Sequence, residues 1–109
     1  MQFVDSHCHL DRMKAVATDG VDAVIERATQ AQVEHMLCVN VTLSEYPKMR
    51  ELVGNRDNVS FSCGVHPLYM KQEDYCAQQL RQLVTDDKVV AVGETGLDYY
   101  YDKEFHKAQ

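Results

Sequence analysis

No two cysteines are spaced as C-x-x-C. Cys8, Cys38, Cys63 and Cys76 stand far apart, which excludes a zinc ribbon and a thioredoxin-type redox motif. Three of them lie in or at the end of apolar, strand-like segments, so buried reduced thiols are expected rather than disulfides. An excess of positive charge is also missing. Eleven Lys and Arg against seventeen Asp and Glu give a formal net charge of −6, and composition alone offers no field to draw in a phosphate backbone. The longest apolar stretches, such as Val89-Val90-Ala91-Val92, fall far short of the roughly 20 residues of a membrane span. The N-terminus has no basic segment of the kind that opens a secretory signal. Together these absences predict a cytoplasmic protein with no membrane partner. No linker rich in Pro, Gly or Ser divides the chain, and 109 residues fit one domain with one core.

What is present is an alternation of strand-like and helix-like segments. Met1 to Asp5 is short and apolar. Val21, Val24, Ile25 and Ala28 recur at helical spacing, with Thr18 or Asp19 as the expected N-cap. Met36 to Val41 reads as a buried strand, followed by Ser44 as N-cap, Pro47 in the first turn, an apolar face of Met49, Leu52 and Val53, and Gly54 as the stop. Val59 to Val65 is a third strand, Cys76, Leu80, Leu83 and Val84 a further helical stripe, and Val89 to Val92 a fourth strand. A last helix is expected from near Asp102, with Phe105 as its first core residue. Strands separated by helical crossovers are parallel, so the fold class is α/β, built of βα repeats.

Each cluster of polar residues able to do chemistry falls at the C-terminal end of a predicted strand, where parallel α/β folds build their sites. His7 and His9, two residues apart on an extended segment, turn both rings to one face. Such a pair suits zinc and tolerates manganese, nickel or cobalt. Asp5 shares their face and could be a further ligand or orient a ring N–H. Asn40 and Thr42 end the second strand. His66 ends the third, where contact with a substrate and a structural hydrogen bond are both open. Glu94 leaves the fourth strand between Gly93 and Gly96, glycines that suggest tight turning or close backbone approach, and its carboxylate is costly to bury unless paired or bound to a cation. His35 and His106 read as surface residues, Asp11 and Asp98 as turn residues, and Tyr99 to Tyr101 as packing or stacking groups.

The segments Asp5-Ser6-His7-Cys8-His9-Leu10-Asp11, Ser62-Cys63-Gly64-Val65-His66-Pro67 and Val92-Gly93-Glu94-Thr95-Gly96-Leu97-Asp98-Tyr99-Tyr100 resemble, in order and spacing, those of the TatD-type metal-dependent hydrolases. The resemblance implies a TIM-barrel-like fold of the amidohydrolase type, deoxyribonuclease activity on DNA, and two divalent ions drawn from zinc, manganese, magnesium or nickel. It implies that His7 and His9 ligate one metal, that Glu94 bridges both, and that His66 faces the substrate. The family centre also draws on two histidines and an aspartate from later strands, the aspartate serving as proton acceptor. Those strands have no counterpart before Gln109. Residues 1–109 are therefore expected to be the first four βα units, about half of such a barrel, inactive alone and prone to self-association through open sheet edges. Two alternatives stay open: an amide or ester hydrolase using the same centre, and a non-catalytic metal-binding or interaction module.

Overall fold

The computed structural model describes residues 1–72, 75–101 and 103–109. Four strands, β1 (Phe3–Cys8), β2 (Val33–Cys38), β3 (Val59–Cys63) and β4 (Val89–Val92), form one sheet in the order β1-β2-β3-β4. All neighbours are parallel, with Cys8 opposite Cys38, Cys38 opposite Phe61 and Cys63 opposite Val92. Strand order follows chain order, as in the wall of a βα barrel, whereas a doubly wound sheet reverses direction part way.

Helices cover the crossovers. The first carries two, α1 (Lys14–Asp19) and α2 (Val21–Gln30), joined at Gly20. Gly20 has φ of +88°, a conformation that favours glycine, so it is Gly20 that precedes α2. Thr18, expected as a cap, lies inside α1 and donates its hydroxyl to the Lys14 carbonyl. In α2, Val24 and Ile25 are buried. The helix α3 (Tyr46–Val53) buries Tyr46, Met49 and Val53 and stops at Gly54, whose N–H bonds the Arg50 carbonyl. Glu45, not Ser44, holds its N-cap position. In α4 (Ala77–Leu83) Leu80 and Leu83 pack against the core without full burial, and Cys76 is an exposed residue ahead of the helix. A single 3-10 turn, Lys103–Phe105, is found where a last helix is expected. The expected start at Asp102 lies outside the described residues, and Phe105 is only half-buried.

The core lies between sheet and helices, with Leu10, Leu43, Met49, Val53, Val59 and Phe61 almost wholly removed from water. Each such side chain contributes about 1.5–3 kcal/mol. The Arg50 guanidinium lies over the Phe61 ring and its Nε donates to Asp86 Oδ2 at 2.7 Å, an oxygen that also accepts from the Tyr46 hydroxyl at 2.8 Å. Burial and this carboxylate push the Tyr46 hydroxyl above its ordinary range. For Asp86, burial acts upward, but the bonds from Arg50, the Lys88 N–H and Tyr46 outweigh it and hold the carboxyl low. No helix among the described residues is long and apolar enough to cross a membrane.

Candidate metal centre

His7 lies on β1 and His9 just beyond it. The Nδ1 of His9 is 2.8 Å from the Val39 carbonyl oxygen. A carbonyl can only accept, so the ring carries its proton on Nδ1 and presents the Nε2 lone pair, the arrangement that fits a ring for metal ligation. His7 Nε2 lies 3.2 Å from His9 Nε2, and the two lie 3.4 and 3.5 Å from Glu94 Oε2. Metal bonds of 2.0–2.1 Å in a tetrahedron imply ligand–ligand edges of about 3.3–3.4 Å, so the donor triangle matches that spacing. Asp5 meets His7 at the main chain, its Oδ1 accepting from the His7 N–H at 3.1 Å. Among the described residues, the metal-capable grouping comprises His7, His9 and Glu94.

Glu94 is delivered to this point by a buried amide. The Asn40 carbonyl accepts from the Glu94 N–H at 2.9 Å, Asn40 Oδ1 accepts from the Gly64 N–H at 3.2 Å, and Asn40 Nδ2 donates to the Thr42 carbonyl at 2.7 Å. One residue, through its main-chain carbonyl and its side-chain amide, thus joins the segments that follow β2, β3 and β4. The Ser62 hydroxyl adds a bond to the Gly93 carbonyl at 3.0 Å. Close backbone approach does occur, but it is Gly64 that permits it: a Cβ there would lie 2.8–3.1 Å from Gly93 and Glu94 main-chain atoms. A Cβ on Gly93 would make only ordinary contact with Ser62, whereas Gly96 needs to be glycine because its φ is +143°.

His66 stands past the end of β3, which stops at Cys63. Its Nδ1 accepts from the Leu68 N–H at 3.0 Å, so the neutral ring holds its proton on Nε2, the reverse of His9. That Nε2 lies 3.5 Å from Glu94 Oε1. The two carboxylate oxygens of Glu94 therefore face different neighbours, the histidine pair and a hydrogen-bond donor. In the turn after His9, burial pushes the Asp11 carboxyl upward, and its Oδ1 has no hydrogen-bond partner among the described residues. His35 lies within β2, its Nε2 2.8 Å from the Ser60 hydroxyl, rather than before the strand. His106 packs edge-on to Tyr99, and Asp98 turns the chain by accepting from the Tyr100 and Tyr101 N–H groups. Sequence reasoning assigned no role to Gly64 or Arg12 and none beyond strand-end polarity to Asn40. The one available signal was an amide set between Val39 and Val41, which requires buried partners.

Residues 4–109 match the family described as TatD related DNase. The metal-dependent hydrolase YcfH of Escherichia coli (strain K12) is 51% identical over 95% of this chain and 39% of its own length. A protein of Danio rerio named as a candidate deoxyribonuclease, tatdn3, is 31% identical over 89% of this chain and 39% of its own. The crystal structure of YjjV, a TatD homolog of Escherichia coli K12, superposes with a TM-score of 0.80 at 30% identity, covering 96% of this chain and 41% of that one. The chain thus spans about two fifths of the relatives it matches, and its four parallel strands with the helices between them correspond to that share of a TIM-barrel fold. The family match spans nearly every residue and the strand order is that of a barrel wall, so the chain belongs to the family of TatD-related DNases.

Proposed function

We propose that the intact protein is a metal-dependent hydrolase of DNA phosphodiester bonds, with His7, His9 and Glu94 holding divalent cations. The convergence of two imidazole nitrogens and a carboxylate oxygen within 3.2–3.5 Å of one another carries this reading. The donor set fits zinc by type and spacing, and admits manganese or nickel. Two cations are proposed because the family resemblance implies a second ion shared through Glu94. A cation bound there supplies Lewis-acid chemistry, acidifying water and offsetting charge on phosphate oxygens.

The chain's own groups do the rest. The Val39 carbonyl keeps the proton of the neutral His9 ring off Nε2, so that nitrogen is available as a donor atom. The Asn40 carbonyl and the space over Gly64 set the position of Glu94. His66, with its proton on Nε2, donates a hydrogen bond to a non-bridging phosphate oxygen, strongest where negative charge develops. Proton acceptance falls to the late-strand aspartate implied by the family resemblance. The described residues offer three convergent donors, fewer than a closed four-coordinate site uses, so weak metal binding and little turnover are expected of this chain itself. Its outer strands, β1 and β4, are further proposed to pair with other copies.

The net charge of −6 favours a second reading, hydrolysis of amides or esters by the same centre, since no general positive field recruits a polyanion. The intact protein, loaded with zinc or manganese, is to be offered DNA and small esters and amides in parallel. Cleavage of DNA supports the first reading, and cleavage of the small substrates alone replaces it by the second. Calorimetric titration of the chain with either metal tests the site: binding that disappears in His9→Ala and Glu94→Ala supports it, and metal binding unchanged by both overturns it.

A further inference from the structure

Arg12 follows the candidate centre by three residues, its N–H bonding the His9 carbonyl at 2.9 Å, and reaches two other loops. Its Nη2 donates to Glu45 Oε2 at 2.6 Å and its Nη1 to the Tyr69 hydroxyl at 3.2 Å, while the guanidinium lies 5.2 Å from the centre of the Tyr69 ring. Tyr69 in turn stands edge-on to His66, ring centres 5.9 Å apart at 88°. The Glu45 oxygen that receives Arg12 also accepts from the Thr42 hydroxyl at 2.8 Å, and the Thr42 carbonyl accepts from Asn40.

Two arms therefore leave one guanidinium and meet again at Glu94. One runs through Tyr69 and His66, whose Nε2 faces Glu94 Oε1. The other runs through Glu45, Thr42 and Asn40, whose carbonyl holds the Glu94 N–H. Arg12 and Glu45 are both well exposed, and an exposed ion pair adds little to stability. What Arg12 supplies is geometry: a planar fork that bonds two partners in different directions while covering an aromatic face, which a lysine ammonium cannot reproduce. We infer that Arg12 is a positioning residue that ties the loops after β1, β2 and β3 together and, through Tyr69, fixes the His66 ring against Glu94.

This inference rests on the reading of His66 as the substrate-facing donor, but its test uses neither metal nor substrate. In the 15N-labelled chain, the Leu68 N–H to His66 Nδ1 bond is read by its through-bond nitrogen–nitrogen coupling and by exchange of the Leu68 amide. In Arg12→Ala the coupling is expected to vanish and Leu68 exchange to rise about tenfold, with amides of β2 and β3 unchanged. Arg12→Lys is expected to restore part of the protection, and Tyr69→Phe, which keeps the ring but loses the hydroxyl, to fall between wild type and Arg12→Ala. Unchanged coupling and exchange in Arg12→Ala would overturn the inference. If Arg12→Ala does not fold, an unchanged coupling in Tyr69→Phe together with Glu45→Gln has the same force. A metal titration that failed would instead remove the proposed function and leave the Leu68 result standing.

Discussion

The carbonyl of Asn40 accepts the main-chain N–H of Glu94 at 2.9 Å while its side-chain oxygen accepts that of Gly64 at 3.2 Å, so one residue at the end of β2 sets the place of a carboxylate that leaves β4. Asn40 is 1% exposed, and both ends of its amide are bonded. Asn40→Leu keeps the branched shape but leaves the Gly64 N–H and Thr42 carbonyl without the partners they have in Asn40. Each buried polar group so orphaned costs about 1–3 kcal/mol, and urea denaturation is expected to show a loss of roughly 2–5 kcal/mol. A loss below half a kcal/mol would show that water replaces the amide.

Gly64→Ala isolates the site from the fold. A Cβ 2.8 Å from the Gly93 carbonyl carbon must push the Gly93–Glu94 segment aside, and overpacking of this kind costs about 1–3 kcal/mol. Because the displaced segment carries Glu94, zinc affinity measured by calorimetry is expected to fall at least tenfold, the scale of losing support around a metal ligand. Retention of wild-type affinity in a folded Gly64→Ala chain would mean that Glu94 is no ligand.

How far the sequence led can be seen from particular residues. β4 is found with its expected bounds, because four apolar residues between a turn and a glycine leave one interpretation. β2 begins three residues earlier than expected, since Val33 pairs with Phe3 across the sheet and a polar Glu34 and His35 hid the strand. α1 escaped notice because a six-residue helix with Val16 as its buried residue shows no period. The pairing of His7 with His9 and the strand-end place of Glu94 were legible because strand parity and strand ends are local properties, whereas joining Glu94 to the pair took the family resemblance. The supports of that grouping were not, because their partners are remote: Arg12 meets Tyr69 across 57 residues and Asn40 meets Gly64 across 24.

Acid is expected to remove the contribution of Asp86 to the packing of α3. The Asp86 carboxyl titrates lower in the folded chain than its ordinary value of 3.8, so its contribution is fully present above that value and disappears as pH falls through the folded one. Bonds to a charged partner are worth about 1.5–3 kcal/mol, which sets the scale of the loss on Asp86→Asn at pH 7. Stability of wild type and Asp86→Asn, measured by urea denaturation from pH 7 to pH 2, should converge at the acid end. Parallel curves throughout would show that Asp86 does not titrate with folding.

The outer strands give the last prediction. β1 and β4 flank the sheet among the described residues, and Val4, Val90 and Val92 on them are 66%, 64% and 58% exposed. An edge strand carries unpaired N–H and C=O groups that accept another strand, and apolar side chains beside it favour contact over solvation. Val90 and Val92 share one face of β4, so a partner laid along that edge would cover both valines while completing the backbone bonds. Sedimentation velocity of the chain is expected to show mass rising with concentration. Val90→Lys should shift the boundary toward monomer, because a charge at an edge opposes pairing. A sharp monomer boundary at millimolar wild-type concentration would show that these edges are closed to other copies.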